Sequence, residues 1–300
     1  GKICFQLQDS LKCQERFKLK LSFSSNAFVK YSFLETINLV AEIGYQGIEA
    51  LADVPHLYAD DISQDYLIAV KDAVENSNLK ISNINANTAV GYYNSNFWEP
   101  LFEPSLANPD RTLRKWRLDY TLKCVNIADF LGVDCVSVTS GKPVSGILPE
   151  DSIMLLKDSL NRLVEYCEKK SVCIGIEYEP GLLVENIDEL TYILDEINSP
   201  YLGANLDFGH SYLVGEDPQN VIEKLGSKLF HAHVEDIIGK KHYHRIPGSG
   251  DICFETIFGA LERSGYDGYV SVELYTFQHD PVGGAKDSLS YLRDMPGIRL

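Results

Sequence analysis

Four short apolar runs in the second half of the chain each end at or near an acidic or imidazole side chain. These are Glu177 in VCIGIE, Asp207 in LGANLD, His233 in LFHAHV and Glu273 in YVSVE. An isolated carboxylate inside a protein is costly, so buried charges are normally paired or bind a cation. Three carboxylates and one imidazole around one point are suitable ligands for Mn²⁺, Mg²⁺, Co²⁺ or Zn²⁺. The sequence therefore predicts a site for one divalent metal ion, provided that the fold brings these residues together.

Residue alternation places these side chains on one side of their strands. In a barrel, successive strand residues point alternately to the interior and to the surrounding helices. In VCIGIEYEP, Ile174 and Ile176 suit the helix side, which leaves Glu177 on the interior side. The same alternation puts Asp207, His233 and Glu273 inside, near the carboxyl ends of their strands, where barrel enzymes have their active sites. His231 also points inward, and a hydrogen-bonded core histidine explains it equally well.

The elements that must position these residues alternate eight times along the chain. β-rich runs followed by helical periodicity predict parallel βαβ units, and eight units predict an α/β fold with a single (β/α)₈ TIM barrel. A doubly wound sheet is the weaker alternative, since no G-x-G-x-x-G follows the first run. Helix ends are marked by Ser32 with Glu35, by Pro149, and by glycines at 44, 132 and 265. The predicted strands are 19–24, 46–51, 79–84, 134–139, 172–177, 201–206, 228–234 and 269–274, and the predicted helices are 32–43, 62–77, 110–131, 149–170, 186–198, 217–226, 253–264 and 285–294.

Two segments fall outside this repeat. Residues 1–17 are predicted to be a short N-terminal extension, and the barrel domain is predicted to cover 18–300. Residues 86–109 form a long loop between the third strand and the third helix, with aromatic residues that include Tyr92 and Trp98. Long ordered loops in compact domains are often active-site lids. The alternative is an aromatic cover that only seals the end of the barrel.

Composition limits the class of partner. The 300 residues are 45% hydrophobic and 23% charged, with a formal net charge of −16. Because nucleic-acid affinity comes largely from neutralised phosphates, this charge disfavours nucleic acid, and for the same reason an anionic membrane. No run approaches the roughly 20 apolar residues that span a bilayer, and no secretory leader is evident. Seven scattered cysteines without a C-x-x-C spacing indicate a reducing compartment. We therefore expect a cytoplasmic protein with a small-molecule substrate.

Several segments resemble the xylose isomerase-like TIM barrels, a group that includes sugar phosphate isomerases and epimerases and the type 2 AP endonucleases. IGIE at 174–177 is similar to the fifth-strand glutamate segment of this group, and LDFGH at 206–210 to its D-x-x-H segment. HAHVED at 231–236 is similar to H-x-H-x-x-D, and VSVE at 270–273 to the last-strand glutamate segment. The stretch RIPGSGDICFETIFGALERSGYDGYVSVE resembles the ending G-x-G-D … G-Y-D-G … E. The resemblance covers about residues 18–295 and is specific to the superfamily, not to a substrate.

The resemblance implies roles for individual residues. It makes Glu177, Asp207, His233 and Glu273 the metal ligands, with Glu177 and Glu273 also catalytic. Glu179 has the same strand parity as Glu177 and is its rival. Arg245 stands where related epimerases use a basic residue, although its spacing from His233 differs, and its run GKKHYHR (239–245) could bind a phosphate or carboxylate or be a solvated loop. The residues expected to contact the substrate are Glu49, His210, Glu179, Arg245, Trp98 and Tyr92.

The expected function is isomerisation or epimerisation of a sugar, sugar phosphate or related hydroxy-carbonyl compound. The metal would stabilise an enediolate, while Glu177 and Glu273 exchange the carbon-bound proton as base and acid. Alternatives are a metal-dependent dehydratase or lyase acting on a cyclic polyol or keto acid, and a catalytically silent barrel used for binding. An AP endonuclease is disfavoured by the net charge and by its need for more ligands than these four. The resemblance also implies a homodimer or homotetramer.

Overall fold

Eight parallel strands close into a barrel in the computed structural model, which describes residues 19–93 and 101–298. The eighth barrel strand pairs with both the seventh and the first, and the first pairs with the second, so the sheet has no free edge. This confirms the predicted single (β/α)₈ TIM barrel. The strands are β1 (Lys20–Ser24), β2 (Gly47–Leu51), β3 (Lys80–Asn85), β4 (Cys135–Thr139), β5 (Cys173–Glu177), β6 (Leu202–Asp207), β7 (Leu229–Val234), then an inserted hairpin of β8 (Asp236–Ile238) and β9 (Lys241–Arg245), and finally β10 (Tyr269–Val272).

Helices connect the strands and begin and end largely where the sequence predicts. Ser32 and Glu35 form a reciprocal capping box, and Pro149 is the first residue of its helix. The glycines at 44, 132 and 265 end their helices with positive φ, as a left-handed cap requires. The helices are α1 (Phe33–Ile43), α2 (Gln64–Asn76), α3 (Val90–Tyr93), α4 (Arg111–Leu131), α5 (Pro149–Lys170), α6 (Ile187–Ile197), α7 (Phe208–Val214), α8 (Pro218–Leu225), α9 (Phe254–Ser264) and α10 (Pro281–Leu292).

Several elements differ from the prediction, among them the short helix α3 inside the segment predicted as a long loop. The last helix begins at Pro281 rather than at 285, because Asp280 caps it by accepting a hydrogen bond from the backbone N–H of Gly283. The short helix α7 and the hairpin β8–β9 were not predicted. The hairpin occupies the run that was interpreted as a binding segment or a solvated loop.

Part of the sequence prediction lies outside the described residues. This applies to the N-terminal extension 1–17 and to Trp98 in the long loop. The described parts of that loop are 86–93, which includes α3, and 101–109. No helix in the described part of the chain is long and apolar enough to cross a membrane.

The floor of the barrel is built from small polar side chains. The Ser22 hydroxyl lies 2.7 Å from that of Ser82, which lies 3.3 Å from that of Ser271. His231 Nε2 lies 2.9 Å from the Ser271 hydroxyl. His231 is therefore a hydrogen-bonded core histidine, and the layer above it carries the charged residues.

Candidate active site

Glu177, Asp207, His233 and Glu273 converge at the carboxyl end of the barrel. One donor atom of each lies within 4.8 Å of the donor atoms of the other three. His233 Nδ1 is 3.4 Å from Glu177 Oε2, 3.8 Å from Glu273 Oε1 and 3.9 Å from Asp207 Oδ2. All four residues are buried, with at most 5% of their surface exposed. The structure thus brings together the four residues that were predicted as ligands.

Strand register explains this convergence. Asp207 on β6 is paired directly with His233 on β7, and Val234 is paired with Val272, which immediately precedes Glu273. Asp207 also caps α7, since its Oδ1 accepts a hydrogen bond of 2.8 Å from the backbone N–H of His210. Its other oxygen, Oδ2, is buried without a hydrogen-bond partner. Asp207 Oδ1 therefore holds the backbone at the end of the strand, and Asp207 Oδ2 can act as a ligand in the cluster.

The donor set fits a divalent cation. Among the described residues, no lysine or arginine forms an ion pair with any of the four side chains, although three of them are carboxylates. Burial, and then the neighbouring carboxylates Glu177, Glu49 and Asp207, raise the pKa of Glu273 well above its usual range. Burial lowers the pKa of His233, but Glu49, Glu177 and Glu273 outweigh it and raise that pKa well above 6.5. The protein groups alone therefore favour extra positive charge at this point, as expected where buried carboxylates bind a cation.

Glu49 lies on the interior side of the cluster and is fully buried. Its carboxylate accepts hydrogen bonds from Ser24 and from the amides of Asn83 and Asn85, and Oε2 lies 2.5 Å from His233 Nε2. Burial raises its pKa, but the charge of His233 and hydrogen bonds from the two barrel histidines outweigh this and hold the pKa well below its usual range. Glu49 is not among the described residues that line the cavity above the cluster. It contacts His233 rather than facing the substrate space, in contrast to the expectation.

Asparagine side chains orient the two carboxylates that were predicted to be catalytic. Asn87 and Asn205 each donate an amide N–H to Glu177 Oε2, at 2.9 and 2.5 Å. Asn26 donates to Glu273 Oε1 at 2.8 Å, and Asn85 lies 3.3 Å from the same oxygen. None of these four asparagines was predicted from the sequence. For Asn85 and Asn87 the available signal was the alternation of asparagines along β3 and its exit, in SNINANT.

Three histidines form a second group of converging donors beside the first. His242 Nε2 lies 3.0 Å from His210 Nε2 and 3.0 Å from His244 Nε2. His210 Nδ1 faces the carbonyl oxygen of Tyr178 at 3.0 Å, and His244 Nδ1 faces that of Glu273 at 2.8 Å. Burial lowers the pKa of His244 to about 3, which keeps that ring neutral. A neutral ring that donates its Nδ1–H to a carbonyl oxygen has an unprotonated Nε2, which can accept a hydrogen bond or bind a metal ion.

This group corrects two sequence-based interpretations. His242 and His244 belong to β9, where alternation turns them toward the cavity and leaves Tyr243 exposed. The run GKKHYHR is therefore part of a β-hairpin and not a solvated loop, and its possible binding of a phosphate or carboxylate stays a prediction. The described residues also contain possible metal ligands beyond the four predicted ones, which removes the argument from ligand number against an AP endonuclease.

A cavity of about 570 Å³ opens above both groups. The predicted catalytic residues Glu177 and Glu273 line it, and so do His210 and Glu179, two of the residues predicted to contact the substrate. Burial raises the pKa of Glu179 to about 7.

Tyr92 and Arg245 are not among the described lining residues. The Tyr92 ring packs 4.3 Å from that of Trp116 on α4, so it lies against a helix. Arg245 is opposite Asp236 in the hairpin, on the strand face away from His244. Both were expected to contact the substrate, and their positions in this structure do not bring them to the cavity.

The chain is similar to several known proteins and to solved barrel structures. It is 25% identical over 260 residues to fructoselysine 3-epimerase of Shigella flexneri, covering 84% of this chain and 89% of that protein. It is 28% identical over 153 residues to inosose dehydratase of Clostridium perfringens, covering 45% of this chain and 50% of that protein. The solved structure of the IOLI protein with a zinc atom has the same fold, with a TM-score of 0.75 and 20% identity over 92% of this chain and 97% of that one. A sequence model of the xylose isomerase-like TIM barrels matches residues 37–295. The chain therefore belongs to the xylose isomerase-like TIM barrel family.

Proposed function

We propose that this protein is a divalent-metal-dependent epimerase or isomerase that acts on a sugar or a related hydroxy-carbonyl compound. The observation that carries the proposal is the position of Glu177 and Glu273, which line one cavity from two different strands, beside Asp207 and His233. The similarity to a 3-epimerase over most of both chains supports the same reaction class.

The metal would be held by Glu177, Asp207, His233 and Glu273. The unpartnered Asp207 Oδ2 and the excess of buried carboxylates support this assignment, as does the zinc atom in the structurally similar IOLI protein. A bound divalent ion supplies Lewis-acid stabilisation of negative charge on substrate oxygens.

The chain's own residues would move the proton. Epimerisation at a carbon next to a carbonyl group needs one group that removes a proton and one that returns it on the other face. Glu177 and Glu273 can serve these two roles because both reach the cavity from different strands. The asparagine amides on Glu177 Oε2 and Glu273 Oε1 fix the orientation of each carboxylate. A carboxylate held in place loses less freedom when the substrate binds.

Proton exchange provides the direct test. Protein saturated with Mn²⁺ is incubated with ketoses in D₂O, and deuterium at the carbon next to the carbonyl is followed by NMR. We expect exchange in the wild type and a loss of roughly 100-fold or more in Glu273→Gln, with no change in Glu165→Gln, an exposed glutamate on α5. Full exchange together with full metal content in Glu273→Gln would contradict the assignment.

Metal content is measured alongside. We expect one divalent ion per chain in the wild type and its loss in the Glu177→Ala/Glu273→Ala double variant. A wild type that binds no metal, even with added Mn²⁺, would make the silent binding barrel the better interpretation.

Dehydration is the second candidate function. It is favoured by the similarity to an inosose dehydratase, which covers about half of each chain. Removal of a proton next to a carbonyl group is common to both reactions, and they differ in whether a hydroxyl group then leaves. Mass spectrometry of the products separates them, because only dehydration lowers the mass of the organic product by one water.

The proposed partners and location rest on the composition and on the family resemblance. We propose a small-molecule substrate, no nucleic-acid partner because of the net charge of −16, a cytoplasmic location and a homodimer or homotetramer. The three-histidine group removes the argument against an AP endonuclease that was based on ligand number, so that alternative is opposed by charge alone. Cleavage of DNA containing abasic sites would reveal it, and light scattering coupled to gel filtration gives the oligomeric state.

A further inference from the structure

We infer that three histidines, His210, His242 and His244, bind a second divalent cation and that this site favours ions of the zinc type. The site is separate from the carboxylate cluster, which consists of Glu177, Asp207, His233 and Glu273. It goes beyond the proposed function, for which the single ion of the carboxylate cluster is sufficient. Three features support it: the convergence of three ring nitrogens, the oxygen atoms behind the rings, and the position of the rings in the cavity wall.

The spacing of the three Nε2 atoms suits a shared ion. His242 Nε2 lies 3.0 Å from His210 Nε2 and 3.0 Å from His244 Nε2, and donor atoms of all three rings lie within 4.8 Å of one another. In a tetrahedral zinc site with Zn–N bonds of about 2.0–2.1 Å, neighbouring nitrogens are about 3.3 Å apart. Small shifts of the rings are therefore enough to place one ion between all three.

Protons alone satisfy these three rings poorly. His210 Nδ1 faces the carbonyl oxygen of Tyr178 at 3.0 Å, and His244 Nδ1 faces that of Glu273 at 2.8 Å. A carbonyl oxygen only accepts hydrogen bonds, so each of these rings has its proton on Nδ1 and, when neutral, a lone pair on Nε2. One N–H on His242 Nε2 would have to be shared between two lone pairs, whereas a cation can take the lone pairs of all three rings.

The elements that carry the three histidines are held together, and each ring has an oxygen behind it. Lys240 in the hairpin turn donates to the carbonyl oxygen of Tyr212 at 3.0 Å, which ties the hairpin to α7, the helix of His210. His242 Nδ1 lies 3.7 Å from Glu179 Oε1, in the place that a carbonyl oxygen takes behind the other two rings. Histidines that bind metals commonly have such an acceptor, which orients the ring and raises its basicity.

The donor types of the two sites differ. Imidazole nitrogens suit Zn²⁺, Ni²⁺ and Cu²⁺, whereas carboxylate oxygens suit Mg²⁺ and Mn²⁺. The three-histidine group supplies nitrogen only, and the carboxylate cluster supplies three carboxylates and one imidazole. We therefore expect Mn²⁺ to enter the carboxylate cluster alone, and Zn²⁺ to enter the three-histidine group first.

The second ion would be accessible from the cavity, because His210, His242 and His244 all line it. Zinc sites with three protein ligands and an open fourth position bind water or a substrate oxygen there. A cation at this point can therefore bind a hydroxyl group of a molecule in the cavity, or a water molecule whose pKa it lowers.

Metal counting on the full chain tests the inference. Chelator-treated protein is equilibrated with excess Mn²⁺, with excess Zn²⁺, or with one equivalent of Zn²⁺ and excess Mn²⁺, and bound metal is measured by plasma mass spectrometry. We expect one ion per chain with Mn²⁺, two with Zn²⁺, and one of each in the third sample. A zinc content of one or none per chain that His242→Ala leaves unchanged would overturn the inference.

A matched pair of variants connects the second zinc to the three-histidine group. The His242 side chain is 26% exposed, so His242→Ala should fold, which circular dichroism of the metal-free protein checks. We expect the affinity for the second zinc to fall roughly 100-fold or more in His242→Ala. The control is His279→Ala, at an exposed histidine that does not line the cavity, and it should bind zinc as the wild type does. Equal affinity in the two variants would refute the assignment.

The ligands can also be read in the wild type, without any variant. X-ray absorption at the zinc edge, on protein with one equivalent of Zn²⁺ and excess Mn²⁺, should show three imidazole nitrogens at about 2.0 Å. A zinc shell made mostly of carboxylate oxygens would contradict the inference.

The Glu177→Ala/Glu273→Ala double variant separates this inference from the proposed function. It keeps the backbone carbonyl of residue 273 behind His244, so we expect it to lose Mn²⁺ binding and to retain one zinc. If the wild type binds one zinc that is kept in the double variant and lost in His242→Ala, this inference stands and the metal site of the proposed function fails. If that zinc is lost in the double variant and kept in His242→Ala, the proposed site stands and this inference fails.

Discussion

Replacement of Asp236 by asparagine should destabilise the loop that joins the hairpin to α9. The carboxylate of Asp236 is fully buried and accepts four backbone N–H groups, two on each oxygen. In Asp236→Asn one oxygen becomes an NH₂ group, which cannot accept a hydrogen bond. Two backbone N–H groups then face a donor inside the protein. Gly250 makes relaxation difficult, because the carboxylate is packed so closely that a Cβ at this glycine would lie 2.4 Å from Asp236 Oδ1.

The expected loss follows from the number of hydrogen bonds. A hydrogen bond to a charged group contributes about 1.5–3 kcal/mol. The loss of two such bonds, together with the weakening of the other two, should lower the free energy of unfolding by about 4 kcal/mol. The backbone amides of Gly248 and Gly250 should also exchange with solvent faster, because they lose their acceptor.

Urea unfolding and hydrogen exchange test this, with Asp251→Asn as the matched control in the same region. Asp251 Oδ2 accepts one hydrogen bond at an exposed site, from the N–H of Gly239, so its replacement should cost less than about 1 kcal/mol. The reasoning is refuted if Asp236→Asn unfolds within about 1 kcal/mol of the wild type, or if the amides of Gly248 and Gly250 remain as protected as before.

Three further predictions concern the site. The buried Arg117 donates hydrogen bonds to the carbonyl oxygens of residues 86, 87 and 88. Arg117→Met should therefore displace Asn87 and lower the turnover number in the deuterium-exchange assay roughly 100-fold, with partial recovery in Arg117→Lys. Unchanged turnover in Arg117→Met would exclude this positioning role. In metal-free protein, burial raises the pKa of Glu179 from 4.5 to about 7. The protonated carboxyl therefore stabilises the folded state fully below pH 4.5. This contribution to the free energy of unfolding, at most about 3 kcal/mol, is lost as the pH rises through 7. Urea titrations of the wild type and Glu179→Gln across this range should show that slope only in the wild type. Mn²⁺ at about 100 times its Kd should raise the melting temperature of chelator-treated protein by about 5 °C, and an equal rise in the Glu177→Ala/Glu273→Ala variant would place the ion elsewhere.

Strand alternation made the four central residues predictable. Ile174 and Ile176 in β5 are almost fully buried against the helices. Because successive strand residues point to opposite sides, Glu177, the next residue along the strand, must point into the barrel. The same reasoning holds for Asp207 and His233. The direction of the side chain alternates from one strand residue to the next, and the alternation of apolar and polar residue types shows that period in a single sequence.

The residues that surround these four could not be predicted in the same way, because their positions depend on contacts between different strands. Asn205 reaches Glu177 from the next strand, where the pairing with β7 shifts at the step from Ala204 to Asn205. His242 and His244 reach the cavity because the chain turns back at Gly239, which has a positive φ, and forms a hairpin. In the sequence, lysines and an arginine surround both histidines, so a solvated segment was an equally good interpretation.

Glu49 shows why a correct choice of residue did not give a correct position. The resemblance singled it out, but the pairing of β2 with β3 shifts between Ile48 and Glu49, and the carboxylate lies against His233 instead of in the cavity. Glu49 Oε2 lies 2.5 Å from His233 Nε2. The other ring nitrogen, Nδ1, is therefore the one that faces Glu177, Asp207 and Glu273. Histidines that bind metals commonly donate their other N–H to a carboxylate, which fixes the ring and raises its basicity. Glu49 can therefore matter to the reaction without touching the substrate, by deciding which nitrogen of His233 is offered to a cation.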